Sequence, residues 1–223
     1  MNPMFLKSSI TRTSLADSVY ETLLEAILSG RLASGSELSE VTLAEQLEVS
    51  RTPVHEALRR LAADELVVIT TGRTARVTRL TRADVCEIYQ MRSALESLAA
   101  ERAATRMTQQ QSAELSSLLD ELLSPDRPLD WTARAIECDL QFHRAIAKAS
   151  DNVRLERDIR RYRLLVRGFC RMSGSGANLE AACHEHRRIL AALKERDATA
   201  ARRAMAEHIE LRLSAVLTEI ALP

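Results

Sequence analysis

Aromatic residues, long apolar runs and net charge are all scarce in this chain of 223 residues. Phe, Trp and Tyr make up only 3% of the sequence, so the cores must be built from Leu, Ala, Ile and Val, as in many helical bundles. No apolar run approaches the roughly 18 residues that a membrane-spanning helix needs. Segment 1–13 lacks the apolar core of a secretory signal and is expected to be a flexible N-terminal arm. These absences predict a cytoplasmic protein with no membrane partner.

Paired cysteines and an excess of positive charge are also missing. The cysteines are scattered with no C-x-x-C spacing, and we expect small buried side chains in a reducing compartment; they are Cys86, Cys138, Cys170 and Cys183. Lys and Arg together number 31 and are matched by 31 Asp and Glu residues. Because the net charge is zero, any binding to nucleic acid must depend on a local basic patch.

What the first third of the chain does contain is a pattern of three short helices. Apolar residues at helical spacing predict a helix over about 14–29 and a second one that buries Leu43 and Leu47. Ser50 is placed to cap a third helix, and Pro53 is acceptable in its first turn, where the missing N–H has no intrahelical partner. Two helices joined by a tight turn, with Arg and hydroxyl side chains opening the second, suit insertion into the DNA major groove.

The third helix has one apolar and one polar face, and a hairpin follows it. Val54, Leu58 and Leu61 lie on the inner face, which leaves Arg51, Thr52, His55, Arg59 and Arg60 outside. Segment 66–70 is rich in β-branched residues, a turn with Gly72 follows, and segment 75–78 returns as a second strand. Three helices and a hairpin predict a winged helix-turn-helix over 14–80, in which the hairpin completes a basic face with Arg73, Arg76 and Arg79.

From residue 81 onward the sequence shows only helical periodicity. Thr81 and Asp84 form a capping-box pattern at the start of the first helix. The expected helices span 82–105, 109–123, 129–150, 152–172, 179–196 and 198–221. A glycine-rich break at 173–176 is interpreted as a loop, because no strand precedes it and no Lys-Ser/Thr follows. The predicted fold is therefore mostly α, with the winged head followed by an all-helical bundle over 81–223.

Four residues of the bundle have the composition of a metal site. Asp139 and His143 are four apart and project from one face of their helix, while His186 and His208 lie on the two C-terminal helices. One carboxylate and three imidazoles on three helices suit a metal site inside a bundle. By spacing alone, the favoured interpretation is a solvated Asp139–His143 pair, with the other histidines as unrelated surface or core residues. His184 is expected to face water, because it cannot share a face with His186.

Arg92 lies among apolar residues of the first bundle helix. From the sequence alone it is exposed or salt-bridged to Glu96 at i+4, or it is an inward residue that grips an anionic ligand. Trp131 has no stacking partner in the sequence and is expected in the core.

Each half of the chain contains a set of short sequence motifs that follow one another in a fixed order. In the first half they are Ile27-Leu28-Ser29-Gly30-Arg31-Leu32, Leu43-Ala44-Glu45, Val49-Ser50-Arg51-Thr52-Pro53-Val54 and Glu56-Ala57-Leu58. In the second half they are Arg92 with Leu95-Glu96, Asp139-Leu140-Gln141-Phe142-His143, Glu185-His186 and His208-Ile209. With these motifs, nearly the whole chain past its arm resembles the GntR family of bacterial transcription regulators, in the branch with an all-helical FCD ligand domain.

The resemblance implies a homodimer that binds a palindromic operator in double-stranded DNA, with the third helix in the major groove and the wing tip near the minor groove. It also implies a metal centre at which a small organic acid binds, and an inward, effector-binding Arg92; the ligands would be Asp139, His143, His186 and His208. Imidazole-rich sites with one carboxylate accept zinc, nickel, manganese or iron, so the sequence leaves the divalent ion open.

The chain departs from the family at several positions. The family usually has Arg where this chain has His55, and it commonly has Gly where Glu48 and Glu65 stand. Its wing usually reads Gly-x-Gly, of which only Gly72 is kept. A neutral His offers one donor where Arg offers a fork. We therefore hypothesise that His55 makes the affinity for DNA rise as the pH falls through its titration range.

The expected function is that of a transcription regulator, more often a repressor, and not of an enzyme. The third helix would begin at Ser50 and contact base edges or phosphates through Arg51, Thr52 and His55, with Arg59, Gly72 and Arg73 at the DNA backbone. Two alternatives remain at this point. One is a metal-dependent hydrolase-like bundle tethered to the head, with Glu137 or Glu185 as its base. The other is a direct metal sensor without an organic ligand.

Overall fold

The computed structural model describes residues 15–70, 74–172 and 176–219. The expected N-terminal arm and the wing-tip residues Gly72 and Arg73 lie outside the described residues. The chain divides into two compact units, one ending at Arg79 and the other beginning at Leu80. Within the described ranges, no helix is both long and apolar enough to cross a membrane.

The first unit, the head, contains helices and a small sheet. Its elements are α1 (Leu15–Leu28), β1 (Glu37–Leu38), α2 (Glu40–Gln46), α3 (Arg51–Ala63), β2 (Val67–Ile69) and β3 (Ala75–Val77). The strands are antiparallel in the order β1-β3-β2. The sequence predicted the two strands of the hairpin but not β1, because two residues are too short to show a period of two. The predicted three-helix winged head is confirmed, with one extra strand.

Apolar side chains of α1 and α3 form the core of the head. Val54, Leu58 and Leu61 of α3 are at most 1% exposed, and α3 packs against α1, in which Val19 and Leu23 are buried. Ser50 occupies the N-cap position of α3, but its side chain makes no capping hydrogen bond. Ser50 therefore stands at the expected position, but the prediction that its side chain caps the helix is wrong. The residue is exposed.

The second unit is a bundle of helices. They are α4 (Arg82–Arg106), α5 (Gln109–Leu122), α6 (Trp131–Ala149), α7 (Val153–Met172), α8 (Gly176–Lys194) and α9 (Ala198–Glu219). Thr81 and Asp84 form the predicted capping box, and Thr108 and Gln111 form a second one at α5. Helix α4 packs against α6, α7, α8 and α9. This central position brings one face of α4 to the three helices that carry the Asp139 and His residues.

Candidate functional site

The outer face of α3 carries the polar side chains expected to contact DNA. Arg51 and His55 have side chains that are 63% and 52% exposed, and Thr52 and Arg59 are exposed as well. The inner face of the same helix is fixed by the buried core described above. Arg51, Thr52, His55 and Arg59 are therefore held outward by a rigid element, as a base-reading helix requires.

A carboxylate that the sequence analysis did not single out lies against this face. Glu40, the first residue of α2, has Oε1 2.7 Å from His55 Nδ1 and Oε2 3.6 Å from Arg51 Nη2. The hydrogen bond from His55, helped by the charge of Arg51, lowers the pKa of Glu40 below its ordinary value. Helix α2 therefore contributes a negative charge to the surface that α3 presents.

The expected basic face is partly neutralised within the head. Arg76 of β3 donates to Glu37 at 2.7 Å, and Arg60 of α3 donates to Asp17 at 2.5 Å. The Arg60 guanidinium also lies over the ring of Tyr20. The positive charge available at this surface is thus smaller than the count of arginines suggested.

The candidate metal centre (Asp139, His143, His186 and His208) is a tight cluster built from α6, α8 and α9. Nε2 of His143 lies 3.2 Å from Nε2 of His208 and 3.3 Å from Nε2 of His186. Asp139 Oδ1 lies 3.6 Å from His143 Nε2 and 3.5 Å from His186 Nε2. All four ligand atoms lie within 4.8 Å of one another, and the histidines are buried. The interpretation of Asp139 and His143 as a solvated surface pair is therefore wrong.

In a neutral imidazole, the hydrogen-bond partner of Nδ1 determines whether Nε2 is a donor or an acceptor. Glu185 Oε2 accepts from His208 Nδ1 at 2.7 Å, and Glu96 Oε2 is in contact with His143 Nδ1. A carboxylate at Nδ1 keeps the proton there, so Nε2 is a bare acceptor. Two bare acceptors 3.2 Å apart cannot hydrogen-bond each other, and their lone pairs converge. Such a donor set fits a cation, because metal–ligand bonds of about 2.0–2.2 Å place neighbouring ligands about 3–3.5 Å apart.

Three arginines pair with the three carboxylates around the centre. Arg163 of α7 donates to Asp139 Oδ2 at 2.5 Å and leaves Oδ1 on the side of the histidines. Arg92 donates to Glu96 at 2.8 Å, and Arg212 donates to Glu185 at 2.8 Å. Arg92 and Glu96 are only 3% and 2% exposed. Arg92 is therefore inward and paired with Glu96, so the expectation of an exposed Arg92 is wrong, while its contact with an anionic ligand stays a prediction.

Burial sets the protonation of the ligands. It lowers the pKa of His186 and of His208 to about 3, and it lowers the pKa of His143 well below the ordinary value. Burial alone would raise the pKa of Asp139, but the neighbouring charges, led by the Arg163 guanidinium, hold it well below its usual range. At neutral pH the cluster thus presents neutral imidazoles and an ionised carboxylate, which are the forms that bind metals.

A small cavity of about 50 Å³ adjoins the candidate metal centre. Its lining joins the ligand Asp139 to Arg92 and Arg212, with Tyr89 and Asn178 nearby. The Nε atom of Arg212 is buried and has no hydrogen-bond partner. The cavity therefore offers guanidinium groups beside the ligand atoms, which is an arrangement suited to a small anion.

Sequence reasoning missed Arg163 and Arg212 and gave Glu96 and Glu185 other roles. Arg212 could have been found, since it lies four residues after His208 and so shares its helical face. Arg163 had no such signal, because it is one of many arginines in α7.

Two glutamates are the candidates for the base of a hydrolase. Glu137 is exposed and accepts a hydrogen bond from Gln141, while Glu185 accepts hydrogen bonds from His208 and Arg212.

Two further expectations for the bundle agree with the structure. Trp131 is 7% exposed and donates from Nε1 to the Leu122 carbonyl at 2.8 Å. His184 is exposed, and it lies two residues from the buried His186. Cys138 and Cys183 are buried as expected, whereas the expectation of burial is wrong for Cys86, which is partly exposed; the side chain of Cys170 lies outside the described residues.

Comparisons with known proteins agree with this architecture. The family described as bacterial regulatory proteins, gntR family, matches residues 15–77, and the FCD domain matches residues 87–211. A probable D-xylose utilization operon transcriptional repressor of Paenarthrobacter nicotinovorans is 31% identical over 92% of this chain and 90% of that protein. The transcriptional repressor RspR of Escherichia coli K12 is 29% identical over 86% of this chain and 84% of that protein.

A solved structure has the same architecture along its whole length. Escherichia coli McbR/YncC superposes with a TM-score of 0.77 at 27% identity, covering 93% of this chain and 99% of that one. The family matches cover both compact units, the head and the bundle. The chain therefore belongs to the GntR family of bacterial transcription regulators, in the branch with a C-terminal FCD domain, and is a DNA-binding regulator rather than an enzyme.

Proposed function

We propose that this regulator is a homodimeric repressor whose affinity for a palindromic operator is set by a small carboxylate bound at a divalent metal in the bundle. It would act in the cytoplasm, where an operator on the bacterial chromosome is accessible. In the head, Ser50, Arg51, Thr52 and His55 open the helix that enters the major groove. Arg59, Gly72 and Arg73 contact the DNA backbone.

The observation that carries the metal part of the proposal is the convergence of lone pairs on one point. Nε2 of the buried His143 lies 3.2 Å from Nε2 of His208 and 3.3 Å from Nε2 of His186, and Asp139 Oδ1 lies 3.5–3.6 Å from the Nε2 atoms of His143 and His186. The residues that would hold the ion are Asp139, His143, His186 and His208. Zinc, nickel, manganese and iron all accept such a set. A bound divalent ion would supply positive charge and a coordination position for a ligand oxygen.

The charge of the surroundings supports an anionic effector. The carboxylates of Asp139, Glu96 and Glu185 are each paired with an arginine, so the described groups around the centre cancel in charge. A divalent ion would leave this buried region with excess positive charge, which a carboxylate offsets. Since the cavity measures only about 50 Å³, the acid would be small unless the lining side chains move. Arg92 and Arg212 line the cavity and can pair with the carboxylate oxygens of the acid.

Two histidines of α8 provide a matched test of the metal centre. We expect His186→Ala to lower the affinity for zinc or nickel by at least about 100-fold, because it removes a ligand rather than a supporting residue. His184→Ala removes an exposed histidine two residues away and should leave the affinity unchanged. Metal affinity is measured by competition with a chelator after the purified full-length protein has been stripped of metal. Equal affinities in the two variants would contradict the assigned ligand set.

The same preparations separate the proposal from direct metal sensing. We expect the metal-loaded protein to change its operator affinity when a small carboxylate is added, and not when a neutral analogue is added. A response to metal titration without a response to any acid in a panel would instead favour the direct sensor.

A further inference from the structure

Glu40 is placed to control what His55 can do at the DNA-binding face. Its side chain is only 20% exposed, and it lies between α2 and the outer face of α3. Oε1 is 2.7 Å from His55 Nδ1, whereas Oε2 is 3.6 Å from Arg51 Nη2. Both contacts link a residue at the start of α2 to side chains one turn apart in α3.

The hydrogen bond fixes the tautomer of the imidazole. An ionised carboxylate has acceptors only, so the hydrogen in this bond must be carried by His55 Nδ1. In the neutral ring, Nε2 is then unprotonated and accepts hydrogen bonds. Without Glu40, a neutral exposed histidine would favour the opposite tautomer, with the hydrogen on Nε2. The carboxylate therefore converts the remaining ring nitrogen from a donor into an acceptor.

We propose that Glu40 is a positioning residue that makes neutral His55 read an exocyclic amino group in the major groove. This inference rests on the proposed insertion of α3 into that groove. An acceptor at Nε2 pairs with N6 of adenine or N4 of cytosine, and it faces only acceptors on guanine. An Arg in the same place has donors only and would select O6 and N7 of guanine. The Glu40–His55 pair thus inverts the base preference at one position of the half-site.

Arg51 retains the opposite specificity beside it. Its guanidinium is held at 3.6 Å by the second oxygen of Glu40 and has several donors left for a guanine. Arg51 and His55 are four residues apart, which is about 6 Å along the helix axis. We therefore expect the two base contacts to lie within about two base pairs of each other, since the rise per pair is about 3.4 Å.

The first test measures the tautomer itself. Ring nitrogen shifts of full-length protein are recorded at about pH 8.5, above the ordinary imidazole pKa of about 6.5, with His55→Gln used for assignment. We expect His55 to be protonated on Nδ1 in the wild type and to shift toward Nε2 protonation in Glu40→Ala. Glu40→Gln should keep the wild-type tautomer, because its amide oxygen accepts the same hydrogen bond. Identical tautomers in wild type and Glu40→Ala would overturn the inference.

The second test reads the consequence on DNA. Binding sites are selected from random duplexes with the wild type, Glu40→Ala, Glu40→Gln and the control Glu45→Ala, which removes an exposed charge from the same helix. At one half-site position we expect the wild type, Glu40→Gln and Glu45→Ala to prefer adenine or cytosine by about 3- to 10-fold, the worth of one hydrogen bond. Glu40→Ala should shift that position toward guanine or thymine.

The outcomes distinguish this inference from the function on which it rests. A wild-type protein that selects no sequence would contradict the proposed insertion of α3 into the major groove of an operator. A wild type that selects a defined site, together with an unchanged preference in Glu40→Ala, would overturn only the role of Glu40. The half-site position that His55 contacts is the one whose base preference disappears in His55→Gln. A wild-type preference for guanine at that position would also overturn the role of Glu40.

Discussion

At the scale of single residues, two glutamates hold a backbone conformation that suits glycine. Glu48 follows α2 with φ of 54°, and Glu65 follows α3 with φ of 62°. Each lies in a helix-ending turn, in which Val49 N–H bonds to the Ala44 carbonyl and Leu66 N–H bonds to the Leu61 carbonyl. A side chain in this left-handed region costs about 1–2 kcal/mol. These are the two positions at which the family commonly has glycine.

Replacing Glu48 by glycine should therefore stabilise the head. We expect Glu48→Gly to raise the free energy of unfolding by about 0.5–1 kcal/mol, since relief of strain exceeds the greater freedom that glycine has in the unfolded chain. Glu45→Gly is the matched control, because it lies within α2 and should lower stability by about 1 kcal/mol. Hydrogen exchange of the α3 amides in the full chain measures both effects. Equal losses in the two variants would contradict the strain argument.

His55 is expected to make DNA binding depend on pH. Glu40 contacts both His55 and Arg51, and it stays ionised at mildly acidic pH because its pKa is lowered by the hydrogen bond from His55. Protonation of the imidazole adds positive charge near the phosphates, so the affinity for DNA should rise as the pH falls from about 8 to about 5.5.

This pH dependence is measured by fluorescence anisotropy on a duplex of unrelated sequence, which separates charge from base readout. His55→Ala should remove most of the rise in affinity. An affinity that is flat over the range, or one that rises equally in His55→Ala, would contradict the hypothesis.

At the scale of elements, the helices of the bundle follow from local sequence. Helix α4 begins at the predicted residue, because the Thr81–Asp84 capping box marks its start. Helix α8 begins at Gly176, three residues before the expected position 179, because Gly176 is part of the glycine-rich break that the sequence analysis interprets as a loop. Strand β1 was not predicted from the sequence, because Glu37 and Leu38 form a strand only by pairing with β3. Periodicity thus predicts long elements well and cannot predict pairing between distant segments.

Helix α3 is the element whose contact with DNA is most easily measured. We expect Arg51→Ala to weaken binding to the operator and to other sequences, and to reduce the slope of affinity against salt concentration by about one unit. Arg187→Ala removes an exposed arginine of α8 and should leave both quantities unchanged. Titrations of operator DNA at several salt concentrations measure the slope. Full operator affinity in Arg51→Ala would contradict the assignment of α3 as the recognition helix.

At the scale of the whole molecule, the ligands of the candidate metal centre could be named from the sequence, whereas the arginine of α7 that pairs with Asp139 could not. Asp139 and His143 share a helical face, His186 and His208 offer further imidazoles on two other helices, and the resemblance to the GntR family implied the same four ligands. The pairing of Arg163 with Asp139 joins α7 to α6 across 24 positions of sequence. Such pairings depend on how the helices pack, for which a single sequence carries no local signal.

Charge is also distributed in a way that the net value hides. The chain is neutral overall, yet its head directs an arginine-bearing face of α3 outward, and its bundle buries carboxylates and guanidiniums in pairs. The first arrangement suits a polyanion and the second suits a divalent ion together with a small anion. A regulator that responds to an acid needs both the DNA-binding face and the site for the acid, and the two binding events must be coupled.

That coupling is the central claim, and operator affinity of the metal-loaded full-length protein tests it most directly. The dissociation constant is measured with and without each acid of a panel of small carboxylates, for the wild type and for His186→Ala. We predict that one acid changes the wild-type constant by about 5- to 150-fold, that operator DNA changes the affinity for that acid by the same factor, and that His186→Ala responds to none. A wild-type constant that no acid changes, or an equal change in His186→Ala, would contradict the account.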